Sequence, residues 1–155
     1  PLKGGKTYQS RIFQISFSSN PAKDFYFEVA QNYGKFYDGT KYSFENSFFL
    51  RFQPTLLTSI KLNYDQINLN HLNKTAKLWL IGPKFDFTFS KKLFWATLVQ
   101  FNSQSENLGV NSRIQWRFNG LSNLFLVYND NYLVRETGPI SPRLRSLNLK
   151  ISYWF

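Results

Sequence analysis

Few side chains in this sequence could carry out chemistry, and most of those that could recur at every second position. The one histidine, His71, sits in an Asn-rich stretch, Ile67 to Lys74, between two patterned segments. A hydrolase built on it would need a serine or an aspartate brought alongside by the fold. No spacing in the chain argues for one, and the plainer reading is an exposed loop histidine. Glu28 and Glu45 could form an acid pair for proton transfer, but with Arg51 they fall on the polar side of alternating segments, where mutual neutralisation is the simpler role. The densest polar run is Asn111, Arg113, Gln115 and Arg117. With Gln100, Asn102 and Asn129 on flanking segments it would form a basic, hydrogen-bonding wall for an anionic small molecule or a glycan, with solvated filler as the alternative. No phosphate loop, metal-ligand spacing or dinucleotide fingerprint occurs, so no cofactor and no enzymatic activity are expected.

Residues two apart share a face only where the backbone is extended, and such alternation runs along the chain. Nine strands are predicted. The first, about Tyr8 to Ser18, sets Phe13, Ile15 and Phe17 against Gln14 and Ser16; the second, about Asp24 to Tyr33, sets Phe25, Phe27 and Val29 against Tyr26 and Glu28. The third covers about Tyr42 to Gln53 and the fourth about Thr58 to Gln66. A fifth, about Thr75 to Phe89, contains Gly82-Pro83. Its halves would be too short to span separately, and Trp79, Ile81, Phe85 and Phe87 keep one parity through the proline, so one strand with a local irregularity is expected. The sixth to eighth run about Leu93 to Asn102, Gly109 to Phe118 and Asn123 to Asn129, and Asn119-Gly120 reads as a tight hairpin turn.

Composition narrows the class. The chain has 155 residues, enough for one domain. It is 19% aromatic, yet its mean hydropathy is -0.36. Strands with one face on lipid and one on water produce that combination. No run approaches the ~18 apolar residues of a spanning helix, and no signal-peptide pattern is present. A start at Pro1 with no Met anywhere reads as a processed product or a fragment. The absence of cysteine suits an oxidising envelope compartment. The net charge of +10 is scattered, Lys91-Lys92 being the only adjacent basic pair, so no nucleic-acid partner is expected. A basic interior, or rims facing anionic lipid, accounts for it.

The ninth strand is the most regular. From Arg145 to Phe155, Leu147, Leu149, Ile151, Tyr153 and Phe155 alternate with Ser146, Asn148, Lys150, Ser152 and Trp154. This resembles the C-terminal insertion signal of bacterial outer-membrane β-barrels, carried here by Leu149, Ile151, Tyr153 and Phe155. The resemblance implies outer-membrane lipid and lipopolysaccharide as surroundings, and the barrel-assembly machinery as a partner of the last strand. A wider likeness covers roughly residues 85 to 155, in Phe87-Thr-Phe-Ser-Lys-Lys-Leu-Phe, Val99-Gln-Phe-Asn, Asn111-Ser-Arg-Ile-Gln-Trp-Arg-Phe and Ser122-Asn-Leu-Phe-Leu-Val-Tyr-Asn-Asp. These phrases are similar to a Bacteroidota-type envelope family of unknown function that joins a carbohydrate-binding-like module to a large C-terminal barrel. That likeness implies no catalytic residues.

Turns at 19–23, 54–57, 90–92 and 119–122 look short, and links at 34–41, 67–74, 103–108 and 130–144 look long. The two sets alternate, as periplasmic turns and outer loops do. The expectation is therefore an all-β, antiparallel up-and-down transmembrane β-barrel of about nine strands. Since bacterial barrels have even strand numbers, it would be the C-terminal part of a larger one. Its role would be a pore, channel or anchor in the bacterial outer membrane, with carbohydrate or other nutrient handling as one use. The alternatives are a soluble β-sandwich or lipocalin-like barrel, and an outer-membrane hydrolase.

Overall fold

A chain that is apolar at every second position meets its solvent preferences and its backbone hydrogen bonds together only by pairing strands. The computed structural model, which describes residues 9–135 and 137–154, has this architecture. Its strands are β1 (Ile12–Ser18), β2 (Phe25–Phe36), β3 (Gly39–Phe52), β4 (Leu56–Leu69), β5 (Lys74–Thr88), β6 (Leu93–Asn102), β7 (Asn107–Asn119), β8 (Ser122–Leu133) and β9 (Ser141–Ser152), with a 3-10 turn at Asn70–Leu72. They form one sheet in the order β1 to β9, every neighbour antiparallel. The sheet is open, with β1 and β9 at its two edges.

Registers keep one parity across all nine strands. One face carries Phe17, Phe27, Phe48, Ile60, Pro83, Phe85, Trp95, Ile114, Leu126 and Leu149. The other carries Glu28, Ser47, Lys61, Lys84, Leu98, Asn111, Asn129 and Ser146. No second layer packs on either. Among the described residues no hydrophobic side chain is buried, and the buried side chains are polar: Ser43, Asn46, Ser122 and Asp130, with Gly39 the one further buried residue.

Gly82-Pro83 stays inside one strand. Both residues pair with β4, but neither pairs with β6, where pairing resumes at Lys84 in unchanged register. The missing proline N–H removes a bond on the β6 side only.

Three expectations are corrected. The strand ends extend well into the links read as long loops: 34–36 and 39–41 are strand around a turn at Tyr37-Asp38, and residues 130–133 and 141–144 belong to β8 and β9. The connections 37–38, 70–73 and 103–106 are no longer than those on the opposite side, and only 134–140 stays long. Alternation ends before the strands do, because past Tyr64 and Trp79 the apolar face turns polar at Gln66 and Lys77 while the hydrogen-bond ladder continues. Gly39 lets β4 approach closely beside the turn, since a Cβ there would run into the Asn68 carbonyl. The second correction is at Asn119-Gly120. β7 runs on to Asn119 through an irregularity after Arg117, and the turn falls at 120–121. Neither Asn119 nor Gly120 takes the positive φ that a type I′ turn requires. The third is the start of the first strand, which begins at Ile12. Tyr8 and residues 1–7, like Phe155, lie outside the described residues.

Candidate functional site

The polar face carries the groups with chemical capacity. Gln100 and Asn102 stand on β6, Asn111, Arg113, Gln115 and Arg117 on β7, and Asn129 on β8, all sharing that face. The sheet divides them. Towards the 103–106 turn, Gln100, Asn102, Asn111 and Asn129 line a concavity of about 280 Å³ together with Asn107 and Asn131. Gln115, Arg113 and Arg117 lie towards the opposite end of β7. Gln115 Nε2 donates to Asn123 Oδ1 at 3.0 Å, Arg113 pairs across the sheet with Ala96 and Val127, and the Arg117 guanidinium lies 5.7 Å from the centre of the Phe94 ring. The expected single wall of amides and arginines is therefore two regions.

The amides hold one another. Asn107 Nδ2 donates to Asn131 Oδ1 at 3.2 Å, Asn111 Nδ2 donates to Asn129 Oδ1, and Asn129 Nδ2 reaches Ser146 Oγ at 3.4 Å. This chain of bonds ties β7, β8 and β9 side by side. Asn102 Oδ1 accepts from the Gln104 and Ser105 amides, closing the turn that forms one lip. Gly109 lies opposite Gln100, and a Cβ there would come within 3.2 Å of Asn131 Oδ1, so its bare backbone keeps the floor open. Asn107 and Asn131 fell in segments read as loops. The signal that could have found them is the recurrence of Asn at 107, 111, 129 and 131 with spacings of two and four.

A second concavity of about 340 Å³ on β1 to β4 is lined by Glu28, Glu45, Lys61 and small polar residues. The expected neutralisation of these glutamates by Arg51 does not occur. Arg51 lies over the Tyr26 ring at 5.8 Å, and the ion pairs on this face are Lys41 to Asp65 at 3.2 Å and Lys84 to Asp86 at 2.7 Å.

His71 is exposed in a connection, as expected, but it is tied down. Its backbone N–H and its Nδ1 each lie 2.7 Å from Asp38 Oδ2, and Asn70 Nδ2 donates to the Asp38 carbonyl at 2.6 Å. Two turns distant in sequence are thereby clipped together. Burial acts to raise the Asp38 carboxyl pKa, but the hydrogen bonds and charge from His71 outweigh it and hold the group below its ordinary value. An aspartate beside the histidine is part of a hydrolytic relay. Among the described residues, however, no hydroxyl hydrogen bonds to the ring.

The most enclosed charge also lies in a segment whose sequence looks like loop, 130–144. Asp130, 1% exposed, receives Tyr128 Oη at 2.5 Å, Tyr132 Oη at 2.7 Å and Arg145 Nε at 2.8 Å. It stands on the apolar face, where β8 and β9 approach their connection. Leu149 and Ile151, two of the residues expected to form a C-terminal insertion signal, are exposed on that same face, and Tyr153 stacks on Phe118 at 6.4 Å.

No family model matches this chain, and no curated protein is significantly similar to it.

Proposed function

We propose that this chain forms part of a β-barrel in the bacterial outer membrane, with its apolar face on lipid and its polar face lining a water-filled interior, and that it serves as a pore, channel or membrane anchor. The observation that carries this reading is a nine-stranded sheet with a continuous apolar face and no buried hydrophobic side chain among the described residues. Leu149, Leu147, Phe17 and Ile15 remain about 60% exposed or more. A soluble sandwich or lipocalin-like barrel must turn such a face inward against a second layer, and lipid removes that need.

The slope of the apolar band supports the same reading. Phe87, Trp95, Ile114, Leu126 and Leu149 occupy one rung of the ladder. The aromatic residues bordering the band drift away from it, to Trp116 on β7 and Tyr153 after β9. At the opposite border, Tyr64 and Trp79 share a rung, while Tyr42 and Tyr33 pair two residues further on. The drift is about one residue per strand, or ~3.4 Å for each ~4.8 Å of strand spacing, a slant of about 35°. Strands of transmembrane barrels tilt ~35–45° from the barrel axis. From Leu56 to Tyr64 the band is about 27 Å long along β4, or roughly 22 Å along the membrane normal, near the ~25 Å apolar height of such barrels.

β1 and β9 run in the same direction, so antiparallel closure requires an odd number of strands beyond these nine. Exposed on lipid, either edge would leave backbone groups unpaired at several kcal/mol each. The membrane, the barrel-assembly machinery and lipopolysaccharide are the partners this placement implies.

Refolding tests the reading. In detergent micelles the chain should give β-type circular dichroism and heat-modifiable gel mobility. A monodisperse folded chain in plain buffer would overturn it. For the hydrolase reading, the Asp38–His71 pair is the favouring observation, and any activity found should vanish in His71→Ala.

A further inference from the structure

We propose that the amide-lined concavity on β6 to β9 is a subsite for a neutral polyhydroxylated solute, a sugar unit. The inference rests on the polar face being the wall of a water-filled interior, and it names what that wall binds.

The chemistry of the lining selects the ligand class. Gln100, Asn102, Asn107, Asn111, Asn129 and Asn131 dominate it, and no Lys, Arg, Asp or Glu takes part. A carboxamide presents two donors and an acceptor side by side, and a sugar presents hydroxyls that both donate and accept. Amides in several orientations therefore match a ring of hydroxyls, whereas an anion needs a cation or a convergent set of donors. The cations nearest in sequence stay outside the lining: Arg113 stands two residues along β7 from Asn111, opposite Ala96 and Val127, and Arg117 is over Phe94.

The site is built in advance. The bonds Asn107 to Asn131 and Asn111 to Asn129 to Ser146 fix the amide heads before any solute arrives, which lowers the ordering cost of binding. Each of these contacts leaves other donors and acceptors of the same amides available. Gln100, at the edge of the Gly109 floor, makes no side-chain hydrogen bond with a described residue. The volume of about 280 Å³ lies just under the ~300 Å³ at which small-molecule pockets begin. That suits one sugar ring, with the open side admitting the rest of a longer glycan.

The experiment is saturation-transfer difference spectroscopy of glucose and maltose on the full chain, in whichever medium it folds, micelles or plain buffer, with sulfate added as a competitor. Transfer to the sugar protons is expected, undiminished by sulfate and unchanged in Arg113→Ala. Gly109→Val, which fills the floor, should weaken it about tenfold or abolish it, as should Asn131→Leu if the valine variant does not fold. The proposal is overturned if the folded chain transfers to neither sugar, if sulfate displaces the sugar, or if the folded variants bind as the parent does. Folding in plain buffer would count against the membrane reading alone, since the sugar result is read independently of the medium.

Discussion

Asn46 is the polar residue placed least comfortably. It stands on the apolar face between Val29 and Leu62, is 5% exposed, and its Oδ1 has no hydrogen-bond partner. A buried polar atom left without a bond costs ~1–3 kcal/mol. Asn46→Val should therefore stabilise the chain by about 1 kcal/mol, read as a higher midpoint in denaturant unfolding in micelles. A drop in that midpoint would mean the amide has a partner the sheet itself does not supply. At the turns, Asp38 makes stability depend on acid. Its folded pKa is depressed, so its contribution is fully present above the ordinary carboxylate value of ~3.9 and is lost as pH falls through the folded value. As pH falls through that lowered value, the His71 amide, whose acceptor is Asp38 Oδ2, should lose its protection relative to the intrinsic exchange rate at each pH. In Asp38→Asn that acid step should be missing, and its persistence there would assign the effect to another group.

On the scale of elements, β9 separates the two faces most cleanly. Leu149 pairs with Leu126 on the apolar face, and the adjacent Asn148 pairs with Val127 on the polar one. Arginine at the middle of a lipid-facing strand costs ~2–4 kcal/mol. Leu149→Arg should lower unfolding stability in lipid vesicles by about that amount, while Asn148→Arg should change it by less than about 1 kcal/mol. Equal effects at the two positions would defeat the lipid assignment of the face. β5 shows why a proline need not end a strand: Pro83 keeps its pairing with Ile60 and forgoes only the bond towards β6.

At the scale of the whole molecule, the sheet has two open edges and no core. The longest ladders lie inside it, where β4 pairs from Leu56 to Leu69 with β5, whereas β1 pairs along Ile12 to Ser18 only. Local opening follows the number of contacts an element makes. In the isolated chain folded in micelles, amides of β1 should lose protection first and those of β4 last in hydrogen exchange. Uniform protection of β1 would show that its free edge is paired with something other than β2.

The number of strands, their parity and the continuity of β5 through Pro83 were legible in the sequence, because the two-residue side-chain period is a local property of extended backbone. Leu147, Leu149 and Ile151 announce their face without reference to any other strand. Strand ends were not legible. Beyond the apolar band both faces are polar, so residues 34–41 and 130–144 look like loop although the backbone ladder continues through most of them. Nor could spacing show which polar residues meet. Asp130 finds Arg145 on another strand, Asp38 finds His71 across thirty-three positions, and the Asn107, Asn111, Asn129 and Asn131 amides converge while Arg113 and Arg117 stay apart. Those meetings depend on register, which pairs residues far apart in the chain and is decided only when the strands dock.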